Sequence, residues 1–327
     1  MMKRMAYLTA AIGAASIVLA GVAFAMPPPG PKFVDCDGGD SIQEEVDEAD
    51  GPTIIFVSGT CNENVTITKD DITIQGNNIV DDHVVGGFTI AGAHRVTIKS
   101  LTIRDSAASY PVGVFATRGA AVVLDDIFVS GQGGAGIYVS RNAYADIFGS
   151  TVENPLHGDN ALLINDGAAV RASNSTFSSA NGASNTGAAV GLYRSASARF
   201  DGDNFFENDG GGLAFEILHT SNLRVQGGAN LVSGNGFIGN NSAASLREVD
   251  VNGDIMVHGD SNLNLRARSP VTVDGSVTLN DQSLLKATGV GGNLSIVGDV
   301  TCTGGAAGGV VNPFVLVGSI NGGCSTF

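Results

Sequence analysis

The chain is 327 residues long, with 46 glycines, no tryptophan, and 17 Lys and Arg against 32 Asp and Glu, for a net charge of −15. A chain this acidic lacks the basic face that phosphate backbones require, so neither nucleic acid nor an anionic membrane surface is an expected partner. The acidity suits solubility and leaves open the attraction of cations.

At the start of the chain, Lys3 and Arg4 precede an uncharged apolar run from Leu8 to Val22, and Ala23-Phe24-Ala25 supplies an A-x-A cleavage site. This is the pattern of an export signal over residues 1–25. The rival reading, a retained membrane anchor, is opposed by the shortness of the run and by Pro27-Pro28-Pro29 directly after it. No Cys sits at the cut, so a lipoprotein is not expected. Cleavage after Ala25 removes Lys3 and Arg4, taking the net charge from −15 to −17. It would leave residues 26–327, with no membrane span, in the periplasm or outside the cell.

The next segment reads as a helix. Ser41-Ile42-Gln43-Glu44 fits a capping box, Ile42, Val46 and Ala49 fall at helical spacing, and Gly51-Pro52 ends the segment, so Ser41 to Asp50 is predicted as an amphipathic helix. Cys36 and Cys61 flank it, while Cys302 and Cys324 lie near the other end of the chain. Two local disulfides are the natural pairing in an oxidising compartment, each contributing about 3 kcal/mol in the chain-entropy model. A metal site is the weaker alternative, because no C-x-x-C or nearby His pair accompanies these cysteines.

From there a repeat takes over. Short turns recur at Lys99-Ser100, Asp125-Asp126, Gly149-Ser150, Ser173-Asn174, Asp201-Gly202, Gln226-Gly227, Asn252-Gly253, Asp274-Gly275 and Val297-Gly298, separated by 22 to 28 residues. Alternating triplets such as Val96-Thr97-Ile98 and Leu101-Thr102-Ile103 flank them, which is a strand signal. A period near 25 fits one coil of a parallel β-helix; propeller blades and hexapeptide coils have other periods. The prediction is an all-β, single-stranded right-handed parallel β-helix of about 9–10 coils with three short strands per coil. Because a stack of coils exposes core at its ends, the predicted helix is read as the plug of the first coil.

The opening Ser41-Ile42-Gln43, Thr53-Ile54-Ile55-Phe56-Val57 and Gly59-Thr60-Cys61-Asn62-Glu63-Asn64-Val65-Thr66-Ile67 resembles that of the pectin lyase-like superfamily. The match covers about 30 residues and the coil period extends it over the rest. The resemblance implies the fold, shared by esterases, lyases, hydrolases and proteins without known activity. It also implies that ligands lie on the sheet that follows variable loops, where the enzymes carry two or three carboxylates, or carboxylates that hold calcium beside an Arg base.

Aligning coils gives four inward columns. Two lie on the strand before the short turn: Val96, Val122, Ala145, Val170, Ala198, Leu223 and, two residues on, Ile98, Leu124, Ile147, Ala172, Phe200, Val225. Two lie earlier in each coil: Val114, Ile137, Leu162, Val190, Phe215 and Ala116, Val139, Ile164, Leu192, Ile217. The insertions 105–112, 154–160 and 179–188 all precede the Val114 column, so that sheet is the expected ligand face. Its predicted outward pairs are Phe115 and Thr117, Tyr138 and Ser140, Leu163 and Asn165, Gly191 and Tyr193, Glu216 and Leu218. Arg118, Arg141, Asp166, Arg194 and His219 form the turn beside it.

This face favours binding over catalysis. Phe115, Tyr138 and Tyr193 can pack on sugar rings while Arg118, Arg141 and Arg194, with Asp166 among them, grip carboxylates or sulfates. Glycosidic cleavage needs a proton donor and an acceptor at fixed separation, and the face offers only Glu216 as a carboxylate. A lyase or hydrolase on an acidic glycan is the alternative, with Glu216, His219 or Arg194 moving the proton. A purely structural envelope component is the third reading. A monomer is expected.

Other candidates carry less. Ala145-Asp146-Ile147-Phe148-Gly149 resembles a pectinesterase segment, with Asp125 upstream, but the register puts Asp146 on the next sheet and no Trp exists for that family's arginine-proline-tryptophan motif. Asp146, Arg171, Arg199 and Arg224 form an outward column read as structural ion pairs. Asp201, Asp203, Glu207 and Asp209 cluster at a turn where calcium is conceivable, yet Phe205 breaks the EF-hand pattern. His157 and Asp159 sit on an insertion. Asn154, Asn208 and Asn235 are expected to satisfy backbone groups. Beyond Ser261 the chain reads as scaffold, closed by Phe314 to Val317 and the Cys302 to Cys324 bridge, with no break that marks a second domain.

Overall fold

The computed structural model describes residues 30–104, 112–153, 159–179, 187–208, 211–268, 271–289, 293–304, 308–311, 316–322 and 324. The expected leader, Asn154, His157, Asp209 and most of the three long insertions lie outside the described residues.

Short strands stack in parallel, one coil on the next. Each full coil contributes to three ladders. The first contains strands such as Thr53–Ser58, Tyr144–Phe148, Ala169–Ser173 and Ser197–Asp201. The second contains those that follow the short turn, including Thr151–Glu153, Thr176–Ser178 and Phe205–Glu207. The third runs through Val114–Thr117, Ile137–Val139, Leu162–Ile164, Val190–Leu192 and Leu213–Ile217. In Val96–Arg104 and Ala121–Ser130 the strand continues unbroken through the short turn, which joins the first two ladders into one sheet.

The third ladder holds twelve strands among the described residues. That exceeds the nine turns counted in the sequence, of which the last three, Asn252-Gly253, Asp274-Gly275 and Val297-Gly298, lie at the corner between the second and third ladders and not, like the others, between the first and second. The second coil closes through the wider loop at Asn77, Asn78 and Asp82, whose carboxylate accepts from the backbone N–H of Asn78 and Gly59, so it lacks the two-residue signature.

All four inward columns are in register as the spacing predicts. Val122 faces Val96 and Ala145, Leu124 faces Ile98 and Ile147, and Ile137 faces Val114 and Leu162. Their side chains are buried, because alternation in a strand sends every second residue to the same side. Buried Phe177, Phe200 and Phe206 pack together in the core, with edge-to-face centroid distances of 5.7 Å (Phe177–Phe200), 6.2 Å (Phe177–Phe206) and 4.6 Å (Phe200–Phe206).

The helix spans Ile42–Glu48 with Ser41 as its N-cap and Ile42 and Val46 buried against the first coil. Ser41 Oγ accepts from Glu44 N at 3.3 Å, as the capping box expects, but the other N-terminal donors are satisfied from outside it. Glu63, in the strand-to-strand segment below, accepts from Ile42 N at 2.7 Å, Gln43 N at 3.1 Å and Ser41 Oγ at 2.9 Å. A carboxylate at a helix N-terminus meets both the orphan N–H groups and the positive end of the dipole. A strand not foreseen from the sequence, Lys32–Asp35, extends the first ladder beside Thr53–Ser58. The disulfides are Cys36–Cys61 and Cys302–Cys324, with Cα separations of 4.9 and 5.2 Å.

Two polar corners hold the stack. After the third ladder the backbone turns through two left-handed residues, as at Arg141 and Asn142, Arg194 and Ser195, or His219 and Thr220. Such residues cost roughly 1–2 kcal/mol each, offset here by bonds from coil to coil, including Asn142 N to Asp166 O at 3.1 Å and Ser195 N to His219 O at 2.9 Å. The residue after the turn is buried. In early coils it is Ala120, Ala143 or Ala168, whose N–H bonds back within its own turn. In later coils it is Ser221, Ser242 or Ser261, and each hydroxyl accepts from the backbone N–H of the coil before it, at 3.1 to 3.2 Å. At the short turn, Ser150, Ser175, Asn204 and Asn230 do the same.

Two outcomes follow. Phe200→Ala should lower unfolding stability by about 3–5 kcal/mol in chemical denaturation, the cost of emptying a buried aromatic site, while Phe205→Ala, half-exposed on the neighbouring strand, should cost clearly less. Ser242→Ala should cost about 1–3 kcal/mol, because the Ser221 N–H is then buried without an acceptor; equal stability to wild type would remove the hydroxyl ladder from the account.

Candidate functional site

The outward row of the third ladder is continuous. Phe115, Tyr138, Leu163, Gly191, Glu216, Phe237 and Met256 occupy directly neighbouring positions on successive strands. Adjacent members sit about 4.8 Å apart along the stack, as parallel strands require. Phe115 and Tyr138 stack with centroids 5.0 Å apart and planes 20° from parallel. Phe237 and Met256, which belong to the same row beyond Glu216, escaped the sequence alignment because the columns were followed only to Phe215 and Ile217.

The second outward position behaves differently from expectation in the first coils. Thr117 and Ser140, predicted to face outward, are 4% and 2% exposed, so they supply no surface to a ligand. Asn165 is half-exposed, and its amide donates to the Tyr138 hydroxyl at 3.3 Å. Tyr193 lies back over Gly191. A Cβ on Gly191 would fall 2.8 Å from the Tyr193 ring and 2.4 Å from the Asn160 amide, so glycine is what lets the ring fold down at that rung.

From there the Tyr193 hydroxyl donates to Glu216. Burial first, and then the neighbouring Glu216 carboxylate, raises the phenol pKa above its ordinary value. Among the described residues, Glu216 is the only Asp or Glu on the strands of this ladder.

Along the corner beside the row, Arg118, Arg141, Asp166, Arg194 and His219 all have positive φ, between 52° and 57°. Their stacking follows from the coil-to-coil bonds of that corner. Arg118, Arg141, Arg194 and His219 are exposed. Asp166 pairs with Arg194 at 3.4 Å, leaving Arg118 and Arg141 without an ion pair among the described residues. The resulting surface has stacked aromatic rings next to two unpaired guanidinium groups, with one carboxylate farther along that is already hydrogen-bonded.

The remaining candidates scatter. Asp146 belongs to the first ladder, opposite Val123 and Arg171, and accepts from Tyr144 at 2.5 Å; Asp125 pairs one column over, with Phe148. Asp201 accepts from Arg199 at 2.7 Å and Gln226 at 2.9 Å, with Arg171 at 3.3 Å. Burial works to raise the Asp201 pKa, but the Arg199 and Gln226 hydrogen bonds and the nearby positive charges outweigh it and hold it below the ordinary carboxylate value. Asp203 accepts from Ala229 N at 2.7 Å, and Glu207 sits in the second ladder between Ser178 and Ser233. These carboxylates therefore serve separate partners, and among the described residues no three His, Cys, Asp or Glu gather as a metal site. Asn208 and Asn235 bond the backbone at Leu213 O and Gly211 O, at 2.9 and 3.0 Å.

One group was missed. Arg247 and Arg266 lie on the first ladder, and Arg268 just past the end of the strand Asn262–Ala267, farther along the stack than the Asp146 column of the sequence reading. The later coils shorten, with Arg247 facing Arg266 only 19 residues away, and a fixed 25-residue step passes over them.

Among the described residues, no helix is long and apolar enough to cross a membrane. A family model described as a right handed beta helix region matches residues 53–266, well over half of the chain. No curated protein and no solved structure matches the sequence. With that match, the three parallel ladders and the inward columns in register, the chain belongs to the right-handed β-helix family, as a repeat protein of pectin lyase-like architecture.

Proposed function

We propose that this is an exported β-helix protein that holds an acidic polysaccharide along its third ladder without cleaving it. The observation that carries the reading is the parallel Phe115 and Tyr138 pair beside the unpaired Arg118 and Arg141. The stacked rings cover one face of each other and leave their apolar edges for contact with a sugar ring, and a guanidinium fork takes a carboxylate or sulfate. Rungs about 4.8 Å apart give close to the repeat of an extended glycan, so one chain can touch several rungs.

Export is supported by the apolar run with its A-x-A site in residues 1–25 and by two disulfides, which persist in oxidising compartments. The non-catalytic part rests on the single carboxylate of the face. Glu216 has Gly191 and Phe237 on either side, so no second acid stands one rung away to share acid and base roles. A lyase or hydrolase remains the rival because Glu216 and Tyr193 are hydrogen-bonded on that face, with His219 and Arg194 at the corner.

Replacing Arg118, Arg141 and Arg194 together by Gln should weaken binding to an unsulfated polyuronate at least tenfold in a titration at physiological salt. The single change Arg194→Gln should matter least, since Asp166 already holds that side chain. Undiminished affinity in the triple variant would reject the assignment. Chain scission by the wild type, with and without calcium, that disappears in Glu216→Gln would replace it with the enzymatic reading.

A pH titration probes the same row. The raised Tyr193 pKa means that the fold favours the un-ionised phenol; this stabilisation is complete below the ordinary tyrosine pKa, about 10, and is lost as pH rises through the higher folded value. In wild type the 295 nm phenolate signal of Tyr193 should thus appear only above the ordinary tyrosine range. In Glu216→Gln it should move to lower pH. An unchanged titration would separate Tyr193 from Glu216.

A further inference from the structure

The outward face of the first ladder concentrates positive charge that the acidic chain does not neutralise. Asp201, Gln226, Arg247, Arg266 and Thr288 follow one another along a single outward row; Asp201 pairs with Gln226, Arg247 with Arg266, and Arg266 with Thr288. Arg268 projects from the end of the same strand as Arg266. Together with Glu248 these residues line an open groove of about 500 Å³.

Within this row the acid and base groups are unevenly matched. Asp201 is taken up by Arg199 and Arg171, and Gln226 links it to Arg224, whose Nε donates to the Gln226 oxygen at 2.8 Å. Beyond that point, Arg247, Arg266 and Arg268 have no ion pair among the described residues. The Arg247 Nε is closed off from solvent with no hydrogen-bond acceptor. Its burial, and then the charges of Arg266, Arg224 and Arg268, lower its pKa from the ordinary arginine value, only partly opposed by Glu248. Like charges directly opposite on paired strands weaken the pairing, and a buried N–H donor without an acceptor is costly. An anion in the groove relieves both.

We propose that the groove between Arg247, Arg266 and Arg268 is an oxyanion site that takes the sulfate ester of a sulfated sugar. A single guanidinium satisfies a carboxylate. Three of them lining one groove offer donors from several directions to a group with three terminal oxygens. A 500 Å³ groove also has room for the sugar ring that carries the sulfate. This site is on a different wall from the aromatic row and does not rest on the function proposed for that row.

The test uses the full chain and titration calorimetry at constant ionic strength, with sodium sulfate, a sulfated disaccharide and its unsulfated parent. Wild type should bind the two sulfate-bearing probes and not the parent. Affinity at least tenfold higher for the disaccharide would identify the sugar-borne group, and equal affinity the inorganic ion. Both should weaken at least tenfold in Arg247→Gln with Arg266→Gln, and by a smaller factor in Arg266→Lys, which keeps charge and loses the fork. Binding should survive in Arg118→Gln with Arg141→Gln, so failure of the third-ladder reading is seen separately. Thermal melting serves as the folding control: without sulfate the double variant should melt no lower than wild type, and sulfate should raise its melting point less. Absence of sulfate binding by wild type, or unchanged binding in the Arg247 and Arg266 variant, overturns the site.

Discussion

Hydrogen bonding between each coil and the next, in parallel and in strict register, is the constraint on which every other feature of this molecule depends. It runs from Lys32 beside Ile55 to Thr301 beside Asn321. Because each backbone pairs with the one above, a side chain cannot choose its neighbour independently. Valine stands on valine, phenylalanine on phenylalanine, and arginine on arginine. The inward rows turn this into a dry core, and the corners turn it into ladders of Ser and Asn that satisfy the N–H groups the strands leave behind. Where the ladder ends, the cost of unpaired backbone and bare core falls on special devices. The helix Ile42–Glu48, with its N-terminus held by Glu63, is the one visible at the start.

The same constraint produces the outward chemistry. A row of equivalent positions repeats a functional group at the rung spacing, so one kind of side chain becomes a stripe. Aromatic rings repeat at Phe115 and Tyr138, guanidinium groups at the left-handed corner, and guanidinium groups again on the first ladder. Six arginines, Arg171, Arg199, Arg224, Arg247, Arg266 and Arg268, lie on that one wall of a chain whose net charge is −15. Net charge sets the far field. The local surface is set by which residues the coil period superimposes, and the screening length of about 8 Å at physiological salt allows a basic stripe to act on its own.

Strain and burial are distributed by the same geometry. Bulky residues with positive φ, such as Arg118, Arg141 and Arg194, would be unfavourable alone; the corner accepts them because each turn is bonded to the next. The consequence for the surface is that those guanidinium groups start from a fixed backbone position, which lowers the cost of ordering them around a ligand. Gly191 plays the opposite part. By withholding a Cβ it lets the Tyr193 ring close over the row and reach Glu216.

The amino-acid sequence by itself determined the period, the inward columns, the capping helix and the cysteine pairs, since each follows from local alternation or spacing that any reader can count. It also located the aromatic and arginine residues of the third ladder. Only the tertiary structure decided that Thr117 and Ser140 are buried, that Glu63 rather than the local Glu44 caps the helix, that Asp201 is held by arginines, and that Arg247, Arg266 and Arg268 line one groove. The physical reason is that column membership is a local property of the repeat. Contact across rungs depends on coil length, which varies between 19 and 28 residues along the stack, and on how far each side chain reaches once its neighbours are in place.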